Sequence, residues 1–482
     1  MAVDRVSTNV GGNFEGRVTI IGCGSIGQSV LPLLRNHLGG DIYSRVTVLS
    51  ADEAGRKIAE RQGARFIHCN LTPGNYRKIL KDYMKPGDLV LNLSIDVYSI
   101  DLVRLCAENG VLYVDTSVEP WPGIYDNPII ELYQRTNFAI RQEILSLAAE
   151  LGSNSPTAVV DHGANPGMVS HFVKQALIDL DRTIRQGEVA PTTREEWAQL
   201  AFELGVTTIQ ISERDTQASQ RPKRQGEFVN TWSIDGYVAE LMQPVEIAFG
   251  TAEKWRPRGA HEHLPGSGTL YFDRPGASTF ARSWTPSIGG FQGMLVPHDE
   301  VFALADYLSI RDDSGFIYRP TIMFVYHPCD DAMLSALELE GSGWAKPQKR
   351  RRLGADIVEG MDELGVLLAG HEQNGYWYGS QLSIEQARQH LPHTNATTMQ
   401  VVAGVLSAMV WAIANPRRGV VEPEGLDFEA CLATARPYLG TMVGEFTDWT
   451  PLDGRGKYFP EKLDVDSPWQ LRNIRSRQWY GE

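Results

Sequence analysis

Three glycines in the stretch Arg17-Val-Thr-Ile-Ile-Gly22-Cys-Gly24-Ser25-Ile26-Gly27 follow a short β-branched run and precede the apolar helical pattern Gln28-Ser-Val-Leu-Pro-Leu-Leu. That G-x-G-x-x-G spacing can grip a dinucleotide. The first glycine permits the tight turn, the second admits a pyrophosphate close to the backbone, and the third lets the helix lie against the strand with its N–H groups toward the anion. Ser25 and Ile26 complete the phosphate-facing turn. A second apolar run, Arg45-Val-Thr-Val-Leu-Ser50, ends at Asp52-Glu53, about the ~20-residue distance at which an acid receives the ribose hydroxyls. Asp52 is preferred over Glu53 for that contact. A carboxylate there repels a 2′-phosphate, so the expected cofactor is NAD rather than NADP. Three glycines can also serve helix packing alone, and it is the combined context that favours the coenzyme.

The elements that must position this chemistry alternate in type. After Asp52, Ala64–His68, Asp88–Ser94 and Val111–Asp115 read as strands separated by helical stretches. This is the doubly wound parallel pattern, whose ligand lies outside the carboxyl ends of the strands. Ser94, Asp96, Thr116, Ser117 and Glu119 fall there. A helical stretch from Arg135 to Leu151 leads to the apolar run Thr157–Asp161 and then His162-Gly-Ala-Asn165-Pro166-Gly167. Between about 200 and 345 the chain turns strand-rich, as in Thr207–Ser212 and Ile317–Tyr326. From Asn395 to Trp411 a pattern of small and apolar residues again reads as helix.

With 482 residues the chain exceeds the roughly 250–300 residues that one core supports, so at least two domains are expected. The net charge of −14 argues against nucleic-acid binding through phosphates and suits a cationic ligand. Lys346 to Arg352 is the one dense basic run, and an exposed loop is expected for it. Five dispersed cysteines without a C-x-x-C pair indicate neither a disulfide framework nor a zinc site. No N-terminal leader and no membrane span are expected, which places the protein in the cytosol. No internal repeat or low-complexity segment is present.

The glycine fingerprint, Asp161-His-Gly-Ala-Asn-Pro-Gly-Met168 and Asn230-Thr-Trp-Ser-Ile-Asp-Gly236 together resemble the bacterial homospermidine synthases, a branch of the saccharopine-dehydrogenase-like group. The resemblance extends over nearly the whole chain. It implies an α/β fold in which a Rossmann dinucleotide-binding domain (1–155) is interrupted by a mixed α+β substrate and dimerisation domain (156–394). A C-terminal segment (395–482) follows, its first helix returning to the Rossmann domain. The implied reaction joins two putrescines, or spermidine and putrescine, through imine intermediates, releasing ammonia and forming homospermidine. NAD then acts like a prosthetic group, because the cycle has no net redox change. A homodimer is implied as well.

Such chemistry needs carboxylates for ammonium groups, an aromatic face for a cation and proton-transfer groups at the reacting nitrogen. The resemblance assigns Trp232 the cation–π role; by composition alone it reads as a half-buried core tryptophan. Glu213, at a strand end, and Glu240, in an apolar helical stretch, become polyamine contacts. From the residues alone, Glu240 faces solvent, finds a basic partner or meets a ligand ammonium. Asp96 and Glu119 extend the acidic lining, and Asp362 is a further acid that also fits a surface turn. His298 serves proton transfer or amine positioning, or is a loop histidine bonded to backbone. Asn165 hydrogen-bonds the amine or the nicotinamide amide, or caps the following helix. Ser94, Thr116 and Pro166 join the cofactor contacts. The competing enzyme reading is a saccharopine-type or carboxy-polyamine dehydrogenase, whose pocket would need converging arginines, with Arg214 available beside Glu213. A non-catalytic NAD-binding sensor is the competitor from another class.

Overall fold

In the computed structural model, which describes residues 14–125, 127–187 and 190–476, the chain divides into two compact units. The first gathers Met1–Pro122, Arg141–Met168 and Thr398–Tyr438; the second gathers Gly123–Ile140, Val169–Thr397 and Leu439–Glu482. The chain therefore exchanges between units at 122, 140, 168, 397 and 438, where the resemblance implied segments of 1–155, 156–394 and 395–482.

The first unit carries a seven-stranded parallel sheet. Its spatial order is Val420–Val421, Ala158–Val159, Leu112–Asp115, Leu89–Asn92, Val18–Ile21, Val46–Ser50 and Arg65–His68. Val18-Thr-Ile-Ile is buried along its whole length, as expected of a central strand covered on both faces. The strand order reverses between Val18–Ile21 and Leu89–Asn92, and ligands of such sheets bind in the crevice at that point. The strand Val420–Val421 pairs in parallel with Ala158–Val159, so a late segment supplies the last strand of the first sheet. The helix Ala396–Ala414 approaches the loop at 163 so closely that a Cβ on Gly404 would lie 2.0 Å from the Gly163 carbonyl oxygen. Among the described residues this one helix has the length and apolar character to cross a membrane, and it is mostly buried in the fold.

A ten-stranded mixed sheet organises the second unit. Thr208–Asp215 lies in it between Thr321–His327, which runs parallel, and Met361–Ala369, which runs antiparallel. Residues alternate across a strand, so Ile209, Ile211, Glu213 and Asp215 share one face. On the opposite face Gln210 Nε2 donates to the Arg282 carbonyl (3.1 Å) and Ser212 Oγ to the Trp284 carbonyl (2.9 Å). The expected single strand over 317–326 is divided into Gly315–Tyr318 and Thr321–His327, since Pro320 offers no N–H to a ladder. The basic run is not a loop: Lys349–Arg352 forms a strand parallel to Glu227–Asn230. Arg351 there meets the carboxylates of Glu227, Asp331 and Asp356, and Arg350 pairs with Asp235.

The C-terminal segment of the second unit is latched by polar groups. Both Glu253 carboxylate oxygens accept from the Leu471 N–H (3.1 and 3.0 Å) and Thr321 Oγ1 donates to one of them (3.0 Å). Lys254 Nζ lies 2.7 Å from Asp464 Oδ2, and Gln470 Nε2 donates to the Ala252 carbonyl at 2.7 Å.

Candidate active site

Two of the three fingerprint glycines, Gly22 and Gly27, are required sterically by the fold itself. Gly22 has φ +87° and a Cβ there would strike the Leu93 carbonyl oxygen at 2.7 Å; a Cβ on Gly27 would strike the Gly22 carbonyl oxygen at 2.6 Å. Gly24 has nothing within 4 Å of its Cβ position, so its backbone is open to a close approach from outside. Gly24 also caps the helix Ser25–Leu33, whose first N–H groups form the anion-facing end together with Ser25 and Ile26. At the end of Val46–Ser50 the two acids differ. Glu53 is engaged by the Arg56 guanidinium and by His68 Nδ1 at 3.2 Å, whereas the exposed Asp52 accepts from the Ala54 N–H at 2.8 Å. These features fit a dinucleotide: an open glycine cradle and a strand-end carboxylate not consumed by a cation.

The remaining strand-end candidates of this unit form a hydrogen-bonded rim. Ser94 Oγ donates to Asn92 Oδ1 at 2.6 Å, and Asn92 Nδ2 donates to the Tyr113 hydroxyl at 3.1 Å. That hydroxyl donates to Asp115 Oδ2 at 2.8 Å, and burial pushes the Asp115 carboxyl up to about 7. Asp115 in turn accepts from the Asp161 N–H at 2.7 Å, and Asp161 from the Val118 N–H at 2.6 Å. Thr116 sits against the turn containing Asn165 and Pro166, in which the Gly163 N–H donates to the Pro166 carbonyl at 2.7 Å. Asp96 is exposed with φ 66°, and Glu119 is tied through its backbone to Ser99.

The second unit collects the other candidates at one end of its sheet. Tyr326 pairs in register with Glu213, Leu364 with Glu213, and Asp362 with Asp215. Paired residues project from the same face, so three neighbouring strands present Glu213, Asp215, Asp362 and Tyr326 together, all buried. Asp362 thus lies within a strand, not in a surface turn. Asp215 accepts from Gln217 N (2.8 Å), Gln217 Nε2 (3.1 Å) and Thr231 Oγ1 (3.2 Å), while Thr397 Oγ1 donates to Asp362 Oδ2. Burial pushes the Asp215 carboxyl up to about 6, and burial with the Glu213 and Asp215 charges holds Asp362 well above the usual carboxylate range.

A helix, Ile234–Met242, brings in the next group. Ser233 caps it by accepting from the Gly236 N–H, and Ile234, Tyr237, Val238 and Leu241 form its buried side. Trp232 immediately precedes the cap and is half-buried; a Cβ on Gly236 would come within 3.1 Å of its indole. Rings then follow one another from Trp232 to Tyr237 (centroids 5.5 Å), Tyr326 (5.9 Å), Phe324 (5.5 Å) and His298 (4.6 Å). Glu240 finds a basic partner: its Oε1 is 3.5 Å from His298 Nε2, while His298 Nδ1 is 3.3 Å from Glu300 Oε1. His298 lies in the loop between Gly289–Val296 and Glu300–Tyr307, and its imidazole meets these two carboxylates. Burial alone lowers the histidine pKa, but the Glu300 and Glu240 carboxylates outweigh it and hold the imidazole well above its ordinary value. Burial raises Glu240, against the opposing pull of His298. A carboxylate, an imidazolium and a second carboxylate in sequence can move a proton to or from a nitrogen.

Sequence reasoning missed Asp115 and Tyr113 in the first unit and Asp215, Tyr237, Glu300, Tyr326 and Thr397 in the second. Asp215, two residues beyond Glu213 on a strand, carried a usable period-2 signal. The expected acids divide between units: Asp96 and Glu119 belong to the first, Glu213, Glu240 and Asp362 to the second. Arg214, the candidate for an amino-acid carboxylate, is spent elsewhere. It lies 3.3 Å from Asp330 Oδ1 and donates to the carbonyls of Pro328 and Asp215.

Comparison with known proteins gives consistent matches. The saccharopine dehydrogenase NADP binding domain matches residues 18–159, and the saccharopine dehydrogenase C-terminal domain matches residues 163–448. A homospermidine synthase of Blastochloris viridis is 48% identical over 468 residues, covering 96% of this chain and 98% of its own. One from Mesorhizobium japonicum is 45% identical over 475 residues, 97% of each chain. The crystal structure of the Legionella pneumophila homospermidine synthase in complex with NAD superposes with a TM-score of 0.90 at 40% identity, covering 96% of this chain and 98% of that one.

Proposed function

The chain belongs to the saccharopine dehydrogenase family and, within it, to the homospermidine synthases, and from that premise we propose how its residues divide the work of joining two diamines. It is an enzyme with NAD as cofactor. Gly22, Gly24, Ser25, Ile26 and Gly27 hold the pyrophosphate, Asp52 the ribose hydroxyls, and Ser94, Thr116 and Pro166 the remaining face of the dinucleotide. NAD supplies the acceptor for the electron pair of an amine-bearing carbon and returns that pair at the end of the cycle. The substrate is putrescine, with spermidine as an alternative donor of the aminobutyl group; the products are homospermidine and ammonia.

In the second unit Trp232 offers its indole face to a cation, a contact worth about 2 kcal/mol where water is excluded. Glu213 and Asp362 anchor ammonium groups. Glu240 and His298 exchange protons at the reacting nitrogen, which must lose a proton before its carbon can be oxidised and gain protons before ammonia leaves. Asn165, Asp96 and Glu119, all of the first unit, are given amine contacts by the family resemblance. A homodimer in the cytoplasm, acting without nucleic acid or membrane, completes the proposal.

The observation that carries a diamine over an amino-acid substrate is the cluster of Glu213, Asp215 and Asp362 on one sheet face with Arg214 engaged by Asp330. A carboxylate-bearing substrate would be repelled there. The test incubates the NAD-loaded protein with putrescine and follows homospermidine and ammonia. Product without accumulating NADH supports the reading; stoichiometric NADH points to a saccharopine-type or carboxy-polyamine dehydrogenase. Trp232→Ala and Glu240→Gln are expected to lose most turnover while retaining NAD, measured by product formation and by bound-cofactor absorbance.

A further inference from the structure

Tyr237 and Tyr326 are buried throughout, with 0% and 2% of their surface exposed, and among the described residues neither hydroxyl has a hydrogen-bond partner. Burying a hydroxyl unpaired forfeits its hydration with nothing in return. Two such hydroxyls on adjoining rings, 5.9 Å apart between centroids, need a physical reason. Both lie inside one field of carboxylates. The Tyr326 phenol is within electrostatic reach of Glu213, Asp215 and Asp362, and the Tyr237 phenol within reach of Glu240, Glu213 and Asp215. Tyr326 stands beside Glu213 by strand register, and Tyr237 touches Trp232.

Resting on the diamine reading, we infer that Tyr237 and Tyr326 are substrate ligands whose hydroxyls hydrogen-bond the amine nitrogen inside the carboxylate cluster. A carboxylate only accepts hydrogen bonds, whereas a phenol both donates and accepts. It can therefore accept from an ammonium N–H and, after the proton has left, donate to the lone pair of the neutral amine. Burial and the neighbouring carboxylates push both phenols well above their ordinary pKa, so they keep their protons and add no further charge to a crowded acidic site. The hydroxyls thus hold the nitrogen in both of its protonation states.

The test uses the NAD-loaded parent with Tyr326→Phe and Tyr237→Phe, measuring putrescine binding by calorimetry, KM and kcat by product formation, and Tm by calorimetric scanning. A hydrogen bond to a charged group is worth about 1.5–3 kcal/mol, so putrescine Kd and KM are expected to rise roughly tenfold or more. Bound NAD should stay unchanged, and Tm should hold or rise, because the removed hydroxyl has no protein partner to lose. Kd and KM within about twofold of the parent in both variants would overturn the inference. So would a fall in Tm accompanying lost activity, which marks a structural role. A parent that makes no homospermidine would overturn the diamine reading itself, an outcome distinct from an active parent with indifferent tyrosine variants.

Discussion

At the residue scale, neighbouring acids of the same type differ in what they can do because of who holds them. Asp52 and Glu53 are adjacent, yet only Glu53 is occupied by Arg56 and His68. Asp52→Ala is therefore expected to weaken NAD binding roughly 10- to 100-fold, as loss of charged hydrogen bonds to the ribose would, with relatively better use of NADP. Glu53→Ala should stay within about twofold of the parent; titration of the coenzyme by fluorescence distinguishes them. Asp52 was legible in the sequence because its signal is local, an acid at a fixed distance behind a glycine turn. Asp215 offered only its two-residue spacing from Glu213, and Tyr326 offered nothing. Their significance lies in pairings such as Asp362↔Asp215 and Tyr326↔Glu213, which join strands far apart in the chain and which no periodicity within either strand encodes. The Glu240–His298–Glu300 series was visible in two of its three members: Glu240 and His298 attracted attention by their chemistry, but Glu300, which opens the helix Glu300–Tyr307, joins them only in the folded chain. Trp232 gave no signal of its own beyond the family's motif.

At the scale of elements, close backbone approach fixes where the loops sit. The helix Ala396–Ala414 meets the Gly163 loop through Gly404, and the same loop carries Asn165 and Pro166. Gly404→Ala is expected to destabilise the first unit by about 1–3 kcal/mol through overpacking, lowering its melting temperature and weakening NAD binding together. A scan with and without NAD measures both. The pattern 395–411 announced this helix clearly, as the alternation of strand and helix announced the parallel sheet. What the pattern lacked was any sign that one glycine in it is required by a carbonyl of a distant turn. The basic run shows the reverse failure: a charge run reads as loop when viewed alone, but Glu227, Asp331 and Asp356 allow Lys349–Arg352 to be a strand.

At the scale of the whole molecule, the latch on the C-terminal segment gives stability a pH dependence. Burial pushes the half-buried Glu253 carboxyl up to about 7, with its hydrogen bonds opposing. A carboxyl raised in the folded state holds its proton more tightly there than in the unfolded chain, so its contribution to stability is lost as pH climbs from about 4.5 to about 7. Relative to Glu253→Gln, the parent should therefore lose melting temperature across that interval and change little above pH 8. Parallel melts of the two proteins from pH 4.5 to 8.5 give the difference directly, cancelling the titration of all other groups. The dinucleotide-binding sheet followed from alternation and the need for at least two domains from length, while the interruption by a mixed unit was implied by the family resemblance alone; the repeated exchange of chain between units followed from none of these, because crossings are set by tertiary packing. That exchange also bears on how the protein is made. The strand Val420–Val421 leaves the ribosome roughly 260 residues after its neighbour Ala158–Val159, an interval on the order of 10–50 s at usual translation rates. Throughout that time the nascent first sheet has an open edge, a row of unpaired backbone groups of the kind that templates pairing with another chain.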